Sequence, residues 1–254
     1  MTAIVQTLPA SRPNESGRRI LAVTKLHFVN RFQILYLPLL VLGMIFLLNL
    51  AIWWIIVAAS GGRASGNHLG YSGAVSYIYV YGIVIAVQAI SRTFPFSLGF
   101  GVTRRDFYLG SVLAFVALSF GFAAVLTIMS VIEIATGGWG VGGRMFAPVW
   151  FTDNSWLLRF VMYFCAFLFL LFIGTLGAAF YVRWRATGVI VFFGIIAVLL
   201  VGAFAYVTPS HLWGAIGTWL VQSGPVGICA WLLVPAAICG VAGFFVLRRA
   251  TPKN

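Results

Sequence analysis

Six uninterrupted apolar stretches dominate the chain, over residues 33–59, 72–92, 107–134, 156–182, 187–207 and 226–247. Each reaches the roughly 20 residues that a helix needs to cross a bilayer. None alternates apolar and polar residues with a period of two, which argues against a β-barrel. In lipid every backbone N–H and C=O must find its partner internally, so helices are the remaining solution. The expected fold is therefore all-α, an integral membrane protein of six transmembrane helices.

Composition agrees. Apolar residues make up 62% of the 254 and charged residues 8%, with a mean hydropathy of +1.04. A soluble domain devotes about a quarter of its residues to charge. A polar and basic lead precedes the first apolar stretch, too long for the start of a cleaved signal peptide.

The basic residues set an orientation. An even number of spans places both termini on one side, together with Arg12, Arg18, Arg19, Lys25, Arg31, Arg92, Arg104, Arg105, Arg183, Arg185, Arg248, Arg249 and Lys253. Only Arg63, Arg144 and Arg159 fall opposite. The positive-inside rule then puts both termini in the cytoplasm. The net charge of +12 reads as arginine facing anionic headgroups. It is dispersed over several membrane-edge loops, so no nucleic-acid partner is expected.

Catalytic machinery is sparse. The two lysines, Lys25 and Lys253, precede Leu26 and Asn254, so no phosphate-binding P-loop exists. The four acids, Glu15, Asp106, Glu133 and Asp153, are widely separated and offer no paired-carboxylate site. Glu133 is expected at headgroup level at the outer end of the third span. Cys165, Cys229 and Cys239 have no metal-ligand spacing and read as small buried hydrophobes; no metal site is expected. The Gly-x-Ser-Gly string at 70–73 matches an intramembrane serine protease box, but spans three to six hold no histidine to serve as its base. A six-span channel or scaffold is a further alternative.

Residues 94–110, FPFSLGFGVTRRDFYLG, form the densest mixed-charge patch. Pro95, Gly99 and Gly101 are expected to end the second span, leaving Phe94, Phe96, Leu98 and Phe100 as an exposed apolar knob. Thr103, Arg104, Arg105 and Asp106 read as a capping box, in which the Thr103 hydroxyl caps the third span and Asp106 reaches back. A connection over 93–106 is longer than a hairpin needs, which points to a docking surface for a soluble partner.

Residues 18–32 read as an amphipathic helix lying at the membrane surface. Leu21, Ala22, Leu26, Phe28, Val29 and Phe32 share one face; Arg19, Thr24, His27, Asn30 and Arg31 lie opposite. Lys25 falls in the apolar arc and must snorkel. On the second span Tyr77, Tyr81, Val84, Gln88 and Ser91 form one stripe, which faces either a pathway or a neighbouring helix.

Taken together, these features resemble the six-span permease subunits of type-2 ATP-binding-cassette (ABC) exporters. The basic lead Arg18–Phe32, the loop SLGFGVTRRDFYLG and the stretch PSHLWGAIGTWLVQSGP between spans five and six carry the resemblance. The loop is similar to that family's Gly-x-Thr/Ser-Arg-Arg-x-Phe coupling segment. The resemblance implies a flexible N-terminus (1–17) and an elbow helix (18–32) with Arg19, His27 and Arg31 near the ATPase. It implies a transmembrane domain (33–247) with an outer amphipathic segment (209–225), then a basic tail (248–254). Phe94, Pro95, Phe96, Leu98, Gly101, Thr103, Arg104, Arg105 and Asp106 would couple to a stand-alone ATPase subunit, which alone would bind ATP and Mg. Tyr77, Tyr81 and Gln88 would line the pathway of a homodimer, or of a heterodimer with a second permease. The chain itself would be no enzyme and hold no cofactor, and it would sit in lipid in a bacterial cytoplasmic (inner) membrane.

Overall fold

The computed structural model describes residues 13–62, 72–147 and 155–250. Arg12, Arg63, His68, the first half of the Gly-x-Ser-Gly string, Asp153, Lys253 and most of the two terminal segments lie outside them. The elements are α1 (Pro13–His27), α2 (Leu37–Ala59), α3 (Ser76–Gly99), α4 (Arg104–Ala135), α5 (Trp156–Val207) and α6 (Trp213–Arg248). A π-turn, Phe32–Tyr36, leads directly into α2, and a second, Gly138–Gly142, follows α4. Five helical segments are long and apolar enough to cross a membrane: Phe32–Ala59, Gly73–Gly99, Arg104–Ala135, Trp156–Val207 and Val226–Arg248. The chain is a helical, multi-pass membrane protein.

The fourth of these segments, α5, differs from the expected pair of spans at 156–182 and 187–207. At 52 residues, a straight α5 would run for about 78 Å, more than twice the roughly 30 Å of a hydrocarbon core. It is not straight. Arg185 sits at φ 57° and ψ −137°, outside helical geometry. The Phe180 and Phe192 rings meet at 5.7 Å, although twelve residues of straight helix would separate them by about 18 Å. A Cβ on Gly188 would lie 2.3 Å from the Phe180 carbonyl oxygen, so only glycine allows this return. The helix is thus a hairpin of two limbs, and the expected loop at 183–186 is reduced to a single non-helical residue.

A second reversal occurs in α6. Gly224 at φ 60° breaks the helix, and Trp219 and Trp231 pack edge to face at 5.2 Å across it. The expected outer amphipathic segment is therefore mostly helical. Its exposure does not fall on one face: Trp213, Trp219, Leu220 and Val221 are all exposed.

The core gathers around α4, which buries Phe107, Phe115, Leu118, Phe122, Ala123 and Leu126. Against it pack Ile78, Ala86, Ile90 and Phe94 of α3 and Phe167 and Leu171 of α5. Small residues allow the close approach that lipid-embedded helices rely on. A Cβ on Gly174 would come within 2.9 Å of the Ala86 Cβ, and Gly240 faces Phe172 and the Tyr108 hydroxyl. Tyr108 donates to the Gly240 carbonyl, joining α4 to α6.

Candidate functional site

The segment 94–110 takes a different form from the expected long loop. Pro95 does not end α3; it lies inside the helix, which runs on to Gly99. The helix survives because Phe94 is fully buried, with its ring 5.2 Å from that of Phe107. Tertiary packing outweighs the one backbone bond that proline removes. The helix ends in a Schellman motif: Val102 N–H donates to the Ser97 carbonyl and Gly101 N–H to that of Leu98. Gly101, at φ 74°, supplies the left-handed residue the motif requires.

Thr103 then caps α4, its hydroxyl accepting from the Asp106 N–H at 3.1 Å. This half of the capping box forms. The Asp106 carboxylate is buried, and its Oδ1 accepts from the Ser16 hydroxyl at 2.8 Å, tying in α1. Between Gly99 and Arg104 only four residues remain, the length of an ordinary helical connection. The connection is therefore no longer than a helical hairpin needs, and its length does not mark a docking surface. Phe94 and Asp106 belong to the core, and Leu98 is half-buried against it.

An exposed patch nevertheless remains. Phe96 and Phe100 are 55% and 74% exposed and stack edge to face at 4.8 Å. Pro95 and Arg105 are exposed as well. Arg104 is half-buried, and its Nη1 donates to the Arg248 carbonyl at 2.6 Å. The aromatic pair is thus exposed at a turn whose far side is tied to two other helices, α1 and α6.

The expected faces of the lead helix are also revised. Arg19 and Arg31 are exposed, but His27 is buried against α4, between the rings of Phe107 and Phe115. Ser111 Oγ donates to the Phe107 carbonyl, so it accepts from His27 Nε2–H at 2.8 Å, which assigns the proton to Nε2. Burial pushes the imidazole down to about 4, so it is neutral at physiological pH. Thr24 donates to the Gly110 carbonyl, and a Cβ on Gly110 would sit 2.6 Å from that of Val23. The packed face thus runs through Val23, Thr24 and His27, while Leu21, Val29 and Phe32 are left exposed. Helical periodicity alone placed Thr24 and His27 outside, because their partners lie more than eighty residues away.

Of the stripe on α3, two members meet the start of the first span. Tyr81 donates to the Gln33 carbonyl, and Gln33 Nε2 donates to Gln88 Oε1, each at 2.9 Å. Tyr77 packs its ring on Tyr81 at 5.8 Å. Gln33, not singled out in the sequence, is the residue that joins the stripe to its neighbour. Tyr81 and Gln88 also border a cavity of about 360 Å³ between α1, the π-turn and α3, with Asn30, Gln33, Arg92 and Phe96 on its walls. Tyr77 is not on those walls.

At the end of α4 far from Arg104, Glu133 is 1% exposed, enclosed by the protein itself. Its Oε2 accepts from Trp139 Nε1–H and from the N–H groups of Met145 and Phe146; its Oε1 accepts from that of Ala147. One carboxylate thereby ties Trp139 and residues 145–147 of the connection after α4 to the end of that helix. The sequence signal was a lone acid just before GGWGVGG. Ser72, of the protease-like string, donates to Asn49 and caps the short turn into α3.

No protein-family model, curated protein or solved structure matches the chain.

Proposed function

We propose that the chain is the transmembrane permease subunit of an ABC transporter, an exporter, driven by ATP hydrolysis on a separate ATPase subunit. The observation that carries this reading is the exposed pair Phe96–Phe100 at the end of α3, directly before the motif Gly101-x-Thr103-Arg104-Arg105-x-Phe107, in which Arg105 is exposed. A surface that transmits force needs anchors a partner can grip and a base that does not yield. The Schellman turn, the Thr103 cap and the Arg104–Arg248 and Ser16–Asp106 bonds supply that base.

In this reading both limbs of α5 cross the bilayer, which gives six spans and puts both termini on the arginine-rich cytoplasmic side of a bacterial inner membrane. The second limb exposes Ile190, Phe193, Val198, Leu199 and Val201, an apolar belt suited to lipid and to a second permease chain. ATP binding and hydrolysis would bias two states of the paired chains, and Tyr81 and Gln88 beside their cavity are the pathway candidates.

The test is to look beside the gene for a stand-alone ATPase with a P-loop and to co-express it with the chain. The ATPase is expected to co-purify with the chain in detergent, while the chain alone turns over no ATP. Turnover by the isolated chain, or no capture of that ATPase, would overturn the proposal.

A further inference from the structure

Arg159 is 7% exposed, and its Nε and Nη1 are enclosed without a hydrogen-bond partner among the described residues. These two nitrogens carry three N–H donors, and a guanidinium cannot shed its charge as a buried lysine can. A buried polar group left unpaired in this way marks an unfilled interaction. Near the membrane an enclosed charge of this kind is a mark of function.

The surroundings offer no counter-charge among the described residues. Glu133, the carboxylate of this end of the bundle among the described residues, already accepts four hydrogen bonds. One turn along from Arg159, Tyr163 donates to the Phe146 carbonyl, so α5 packs on the same segment that Glu133 holds. Arg144 adds a second, half-buried guanidinium one residue before that segment. Arg159 also lies in the opening turns of α5, its N–H bonded to the Ser155 carbonyl, where the helix dipole is positive. Side chains in a helix lean towards its N-terminus, which brings the guanidinium to that same end.

We propose that Arg159 and the N-terminal end of α5 form a binding site for an oxyanion, a phosphate or carboxylate group that reaches the protein from the side opposite its termini. The planar fork of the guanidinium suits an ion with two oxygens better than a halide. This inference stands apart from the transport reading and holds whether or not an ATPase partner exists.

The test is thermal unfolding of the purified protein at constant ionic strength. In one arm inorganic phosphate replaces chloride; in the other, phosphatidylglycerol replaces phosphatidylcholine in nanodiscs. In at least one arm the Tm of the wild type is expected to rise by about 3 °C or more. Arg159→Met should abolish the rise, and Arg159→Lys should keep part of it. A response to phosphate identifies a free oxyanion, and a response to phosphatidylglycerol alone identifies a lipid headgroup. Arg159→Gln keeps the experiment readable should the Met variant fail to fold. The proposal is overturned by an unchanged wild-type Tm in both arms, or by an equal rise in Arg159→Met. It is also overturned if Asp153→Asn lowers the wild-type Tm but has no effect in Arg159→Met, because the counter-charge is then internal.

Discussion

Arg104 and Arg248 stand 144 residues apart in the chain, yet Nη1 of the first donates to the backbone carbonyl of the second. The bond joins the first turn of α4 to the last turn of α6. It places a cation at the negative end of the α6 dipole, where the last carbonyls have no helical partner. A residue that the resemblance assigns to the ATPase contact is therefore also a strut within the chain.

Arg104→Glu removes that strut and sets an anion against orphan carbonyls. Because the site is part-exposed, we expect a loss of about 1–2 kcal/mol. Arg104→Lys should recover about half. Thermal unfolding in detergent measures the change, and equal stability of all three proteins would show that the bond contributes nothing.

The two phenylalanines flanking Pro95 should separate cleanly. Phe94→Ala opens a cavity against Phe107 and should cost about 3–5 kcal/mol of stability. Phe96→Ala acts on a side chain that is mostly exposed and should leave stability within about 0.5 kcal/mol. Under the proposed function it should weaken capture of the ATPase by about tenfold, as loss of an aromatic anchor does. Pull-down and melting curves on the same two variants decide the matter.

His27 makes the seat of α1 pH-dependent. Its pKa is about 4 when packed on Ser111 and near 6.5 when exposed, so the undocked form binds more protons between these values. The docked state is accordingly fully stable above pH 6.5 and loses about 3 kcal/mol as pH falls to 4. Protease cleavage within Pro13–His27 should accelerate over that interval. His27→Gln keeps a donor without the titration and should flatten the profile.

Glu133→Ala leaves three backbone N–H groups and the Trp139 indole without an acceptor. Each such buried donor costs about 1–3 kcal/mol, so a loss of at least 3 kcal/mol is expected. Glu133→Gln should fare better but still lose stability, because its amide turns one donor towards other donors. Hydrogen exchange at Met145, Phe146 and Ala147 reports this locally. Slow exchange in the Ala variant would mean that the carboxylate is not what holds the loop.

The sequence by itself determined what depends on solvent and on near neighbours. Long apolar runs dictate membrane helices, since lipid offers backbone groups no other partner. The Thr103 cap and the reversal near Arg185 were legible because both are local, set by backbone geometry over a few residues. Tertiary structure decided everything that rests on distant contacts. Pro95 and Gly99 spell a break in isolation, yet α3 continues through them because Phe94 gains a fully buried seat on α4. His27 and Glu133 read as surface groups, and each became internal once a partner arrived, Ser111 for one and the backbone of 145–147 for the other. Arg159 read as one outer arginine among three, and only packing showed that two of its guanidinium nitrogens are enclosed without a partner among the described residues. A polar residue near a membrane has no fixed address in the sequence, because its place depends on which donors and acceptors the fold brings within about 3 Å.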